Sequence, residues 1–273
     1  MTTLKSILFP VSIVKNPANT NSEYSHIVRG IVDGIEMDLN YCSNRYALVP
    51  NDMIFPRIEA ELQARGVKFS VKYSQVDNVR FYADYILEDE SLSIGTGKDK
   101  IKPVIKISHS YNGLTKYSIT FGYFRVICSN GMTIPVEGQE EKNLNIVGKH
   151  TKEILNSFDT MFEKMSNFFD MQKTFKKRFD VLADRMIVNY GERVEAVLEA
   201  SKLKPSKAQL EVINQTIQSE ANTLYNGKVN DWLIYNGINA YIYKAIDNKG
   251  NVSKALPEKK TAMDAKVLEV MFN

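Results

Sequence analysis

Arg125 sits in the run Phe121-Gly122-Tyr123-Phe124-Arg125-Val126-Ile127-Cys128-Ser129-Asn130-Gly131-Met132, which reads as a strand leading into a turn. A guanidinium among apolar neighbours is costly to bury without a partner. Two chemistries fit it. Either Arg125 is buried against an acidic side chain or a turn carbonyl, or it binds an anion at the end of a sheet. Asn130-Gly131 supplies the positive φ of a tight reversal. Cys128 reads as a small buried hydrophobe before it reads as a nucleophile.

Other residues suggest other chemistries. Gly95-Thr96-Gly97-Lys98 invites a phosphate-loop reading, but Leu92 stands where that signature needs its first glycine and Asp99 where it needs Ser or Thr. Glu140-Glu141-Lys142 contains the Glu-x-Lys of metal-dependent nucleases without a convincing upstream aspartate. His26, His109 and His150 are scattered and form no hydrolase signature. His150, at the opening of a long apolar repeat, fits a helix cap or an anion contact. Lys173, Lys176, Lys177 and Arg178 interleave with Phe175 and Phe179. On an amphipathic helix such charges face water while the rings face a core. The same charges can follow a phosphate backbone, with Tyr111, Tyr117 or Tyr123 stacking on bases.

These residues need elements to hold them. The first 25 or so residues read as a loose arm able to add an edge strand. Arg45–Val49 reads as a strand, and Asn51 or Asp52 as the N-cap of a helix carrying Ile54, Phe55, Ile58 and Leu62 and ending at Gly66. Strands follow over 67–87, 104–111 and 116–127, with Asn112-Gly113 as a hairpin turn. The link Glu88–Lys102 reads as a mobile loop. From Lys149 the apolar period becomes helical, predicting one helix of ~40 residues, ~60 Å long, or two with a break. Ser206 and Gln209 form a capping-box pair for the next helix. Asn226-Gly227 marks a turn before a helix containing Trp232, Tyr235, Ile238 and Ile242, and the C-terminus reads as a short helix.

The expected fold is therefore α+β. A small antiparallel or mixed sheet with one packed helix and an N-terminal arm occupies 1–135. A mostly helical region with one long amphipathic helix occupies 136–273 and packs on the sheet. The net charge of +3 is too weak by itself to argue for nucleic acid. Cys42 and Cys128 are too isolated for a zinc site, and no metal or cofactor is expected. No apolar run approaches the ~20 residues of a membrane span. A cytoplasmic protein of a bacterial or phage-infected cell is the simplest expectation.

Gly122-x-x-Arg125-x-x-Cys128-Ser129-Asn130-Gly131-Met132, then His150-Thr151, then Trp232-x-x-Tyr235-Asn236-Gly237-x-x-x-Tyr241 resemble the phage- and plasmid-encoded family catalogued as domain of unknown function 932. Arg45-Tyr46-x-Leu48-Val49-x-Asn51 is similar to that family's N-terminal half. Asn239-Ala240 departs from it, since the family more often has a Thr-Glu-like pair there. The resemblance implies a mobile-element origin and no established activity. The element order is loosely similar to that of single-strand annealing proteins, and fold does not determine function. The expectation is a non-enzymatic DNA-binding protein, single strands first, acting in replication or recombination and assembling into homo-oligomers. Arg125, Asn130, His150, Lys173, Lys176, Lys177 and Arg178 are its candidate anion contacts. A host-protein module docking through the Phe/Met-rich helix and a metal-dependent nucleic-acid enzyme are the alternatives.

Overall fold

The computed structural model describes residues 3–19, 23–77, 79–88, 91–126, 130–133, 144–151, 157–245 and 257–273. The fold is α+β with two antiparallel sheets. The chain divides into two compact units. Unit 1 comprises Met1–Asp89, Val104–Phe121 and Asn143–Phe168, and unit 2 comprises Glu90–Pro103, Gly122–Lys142 and Phe169–Asn273. The expected boundary at 135/136 falls outside the described residues.

Unit 1 opens with a short helix, α1 (Leu4–Ile7), and a three-stranded sheet of β1 (Val11–Lys15), β2 (His26–Val32) and β3 (Ile35–Cys42) in that order. The expected edge strand of the arm is thus present as β1. The β2–β3 hairpin is an addition to the expected elements. Its turn is Asp33-Gly34, with φ of 51° and 81°, the two-residue geometry that matches strand twist. Helix α2 (Asn51–Ala64) buries the anticipated Ile54, Phe55, Ile58 and Leu62. Its N-cap is Pro50, without a side-chain cap bond, which corrects the expected capping by Asn51 or Asp52. Asn51 instead lies inside the helix and donates from Nδ2 to the Ile7 carbonyl at 2.8 Å.

The second sheet has the order β10-β8-β7-β5-β4, with β6 beside β7 and β9 beside β8. Its strands are β4 (Phe69–Val76), β5 (Arg80–Leu87), β6 (Leu92–Ile94), β7 (Asp99–Ser110), β8 (Tyr117–Arg125), β9 (Asn130–Thr133) and β10 (Ile146–Gly148). β7 and β8 are neighbours joined through Asn112-Gly113, where Gly113 has φ 69°. Strand β5 pairs with β7 only up to Val104. Pro103, which has no N–H to give, stands at that limit. The expected mobile loop before β7 is instead the β6–β7 hairpin. Its glycines take φ of 56° and 80°. The Gly95 N–H donates to Asp180 at 3.1 Å, and Thr96 Oγ1 donates to the Leu224 carbonyl at 3.2 Å.

Of the two expected arrangements the structure has the broken one, α3 (Ser157–Asp170) and α4 (Gln172–Asp184), with the break at Met171. The apolar repeat runs on across the break, since Phe168 and Phe175 are both fully buried. Neither glycine nor proline marks it, so periodicity cannot reveal it. Then come α5 (Tyr190–Ala200), α6 (Lys207–Leu224), α7 (Asp231–Ala240) with a π-helical turn over Tyr241–Ala245, and α8 (Pro257–Phe272). The Ser206/Gln209 capping box opens α6 as expected. The C-terminal helix has 16 residues, longer than anticipated.

Helices α6 and α7 approach closely at Gly237. A Cβ there would meet Ile217 Cγ1 at 2.6 Å, and Ile217 is fully buried. Gly237→Ala is therefore expected to lose about 1–2 kcal/mol in denaturant melts, the strain of overpacking outweighing the gain in helix propensity. An alanine variant as stable as the parent would contradict this packing.

Candidate functional site

Arg125 ends β8 and Asp99 opens β7, both in unit 2. Short partner strands hold both ends in register, with Ile94 opposite Asp99 and Asn130 opposite Arg125. The Val126 N–H donates to the Lys100 carbonyl at 3.0 Å and ties the two strand ends together. Arg125 Nε donates to both Asp99 carboxylate oxygens at 3.0 Å, and Nη2 donates to Oδ2 at 2.6 Å. Nη1 donates to Glu220 Oε2 on α6 at 2.7 Å. Trp232 Nε1 on α7 donates to Asp99 Oδ2 at 2.8 Å, and its ring lies 5.8 Å from the guanidinium carbon. Arg125 and Asp99 are both 0% exposed.

This geometry decides between the two readings of Arg125. It reaches no solvent and is held by two carboxylates, so no phosphate can approach it as placed here. It is a structural ion cluster, and the anion-binding reading is withdrawn. Asp99 is the partner that sequence reasoning missed, having noted it only as a departure from a phosphate loop. The available signal was alternation. Asp99, Ile101 and Pro103 face inward, while Lys100 is exposed and Lys102 half-buried.

His150 belongs to unit 1 and lies well before α3, with its ring buried. It stacks on Tyr46 at 5.2 Å, and its centroid is 4.9 Å from that of His109, which is fully buried. Burial holds both imidazoles below the usual histidine range, His150 at about 4. A neutral, enclosed ring makes no anion contact, so His150 is withdrawn as a candidate too. Tyr111, Tyr117 and Tyr123 are all fully buried and offer no ring to a base. Tyr123 donates to Gln172 at 2.8 Å, and Tyr111 accepts from the Asn51 N–H at 3.0 Å.

The basic set on α4 behaves differently. Phe175 and Phe179 point inward, with Phe179 packing on Tyr123 and Trp232 at 5.5 and 5.2 Å. Lys173 and Lys177, one turn apart, are exposed, while Lys176 and Arg178 are half-buried. Lys176 pairs with Asp180 on the same helix. The backbone of Asn130 pairs with Arg125, whereas its side chain, Cys128 and Glu140–Lys142 lie outside the described residues. Among the described residues, no group of three or more His, Cys, Asp or Glu side chains is placed to hold a metal. Among them too, no helix is long and apolar enough to cross a membrane. Cys42 is free and buried.

A family model described as a domain of unknown function (DUF932) matches residues 38–264. The chain belongs to the DUF932 family. No curated protein and no solved structure matches it. The matched span of this DUF932 protein contains Asp99, Arg125, Glu220 and Trp232, and it begins after β1 and β2. Asn239, where the chain departs from the expected pattern, has a structural task. Its Nδ2 donates to the fully buried Asp264 at 2.8 Å, beside the Tyr235 hydroxyl at 2.9 Å.

Proposed function

We propose that this protein is a non-enzymatic binder of DNA, single strands first, that serves replication or recombination of a phage or plasmid. The observation that carries the reading is the outer row of α4. Lys173 and Lys177 stand exposed one turn apart on a helix whose inner face is locked by Phe175 and Phe179. A pair of ammonium groups on one helix face attracts phosphate without reading sequence, which suits a backbone-tracking surface. Lys176 and Arg178 lie on the same helix, half-buried, with Lys176 paired to Asp180. Arg125 and His150 take no part in this surface. The Phe/Met stripe is committed to the chain's own interior, with Met161, Met165, Phe168, Phe175 and Phe179 buried. Phe162 and Phe169 of the same run are half-buried, so the docking alternative has less apolar surface to use than the full stripe would offer.

The test is a mobility-shift titration of single- and double-stranded DNA at about 50 and 200 mM salt, where counterion release makes log K fall with log salt at a slope of about 0.7 per neutralised single-strand phosphate. Replacing Lys173 and Lys177 by glutamine is expected to flatten that slope by about 0.7 for each phosphate no longer neutralised. An unchanged slope, or no shift at all at the lower salt, overturns the proposal.

A further inference from the structure

Strand β3 is the edge of the three-stranded sheet, and among the described residues its outer side takes no strand. Most edge strands are short or blunted, because unpaired backbone groups template further pairing. This one has 8 residues and leaves its first half in water. Ile35 is 66% exposed and Met37 40%. Glu36 and Asp38 alternate with them, with side chains 65% and 33% exposed. The pairing with β2 shifts register between Val28 and Arg29, which leaves Ile35–Asp38 as the uninterrupted open stretch. Arg29 holds Asp38 at 2.9 Å and reaches Glu36 at 3.5 Å. One cation thus faces two carboxylates, and Asp33 at the turn adds a third.

We infer that this edge receives an extended segment of a partner protein as a fourth strand, and that the segment alternates lysine or arginine with apolar residues. Backbone pairing along an exposed edge supplies affinity, and alternate side chains supply specificity. Basic residues opposite Glu36 and Asp38 form favourable cross-strand pairs, while apolar ones cover Ile35 and Met37. A second copy of this chain fits the edge less well when the exposed stretch pairs with itself. Antiparallel pairing of β3 with itself about Met37 sets Glu36 against Asp38 twice, and like charges directly opposite repel.

The probe is a fluorescent synthetic peptide of the length of β3 that alternates lysine with valine, compared by anisotropy with its glutamate–valine counterpart. The full chain is expected to bind the lysine peptide at least about tenfold more tightly. A variant with Glu36→Lys, Asp38→Lys and Arg29→Glu keeps the internal ion pairing, and its melting is checked first. It is expected to reverse the preference. No binding of either peptide, or a preference unchanged by the reversal, overturns the inference. So does light scattering that shows a dimer in the parent chain which the variant loses, since a second copy would then own the edge.

Discussion

Arg125→Ala is expected to cost about 3–5 kcal/mol, the largest single-residue effect in unit 2. The substitution strands Asp99, fully buried, without its main partner, and releases Glu220. An unpaired buried carboxylate is far worse than none, so the loss exceeds the net worth of the pair. Replacing both members by apolar residues, Arg125→Met with Asp99→Leu, is therefore expected to recover much of it. Trp232 is the chain's single tryptophan and donates to Asp99 at 2.8 Å, so its fluorescence reports this cluster directly in a denaturant melt. A melt of Arg125→Ala that matches the parent would contradict the structural assignment.

Acid is expected to weaken unit 1 through its buried imidazoles. Burial holds His150 at about 4, against an ordinary value of 6.5, and pushes His109 down in the same direction. The backbone around Ala47 and Thr115 pulls His150 the other way without prevailing. The unfolded chain therefore takes up protons first as pH falls below 6.5. The stability held above 6.5 drains away as pH approaches 4, by roughly 3 kcal/mol for His150 alone. Phenylalanine at position 150 keeps a ring against Tyr46 and cannot be protonated. His150→Phe is thus expected to flatten the acid limb of stability, followed by the near-ultraviolet dichroism of the tyrosines. A limb as steep in the variant as in the parent would clear His150 of any part in acid sensitivity.

Legibility in the sequence followed local chemistry. The α2 stripe, the Ser206/Gln209 capping box, the Asn112-Gly113 reversal and the Trp232 helix were readable because each signal lies within a few residues of its consequence. Burial of Arg125 was readable from its apolar flanks. Its partners were not, because Asp99 and Glu220 lie 26 and 95 residues away and meet it only through the fold. The break at Met171 left no trace, since the apolar period continues through it. The β2–β3 hairpin did leave one, Asp33-Gly34, but β3 carries too little apolar alternation toward a core to announce a strand. Tyr111, Tyr117 and Tyr123 misled for the opposite reason. Their rings read as able to stack on bases, yet each lies fully buried.

The proposed division of labour gives Arg125 the task of holding unit 2 together and Lys173 and Lys177 the task of meeting DNA. One paired measurement separates these roles. Melting and single-strand DNA affinity at low salt are recorded for the parent, for Arg125→Met with Asp99→Leu, and for the double glutamine variant of Lys173 and Lys177. Replacing the buried pair is expected to change melting while affinity in the cold stays at the parent's value. The lysine variant is expected to melt like the parent and to lose affinity. A folded Arg125 variant that has lost DNA, beside a lysine variant that binds normally, would contradict this division.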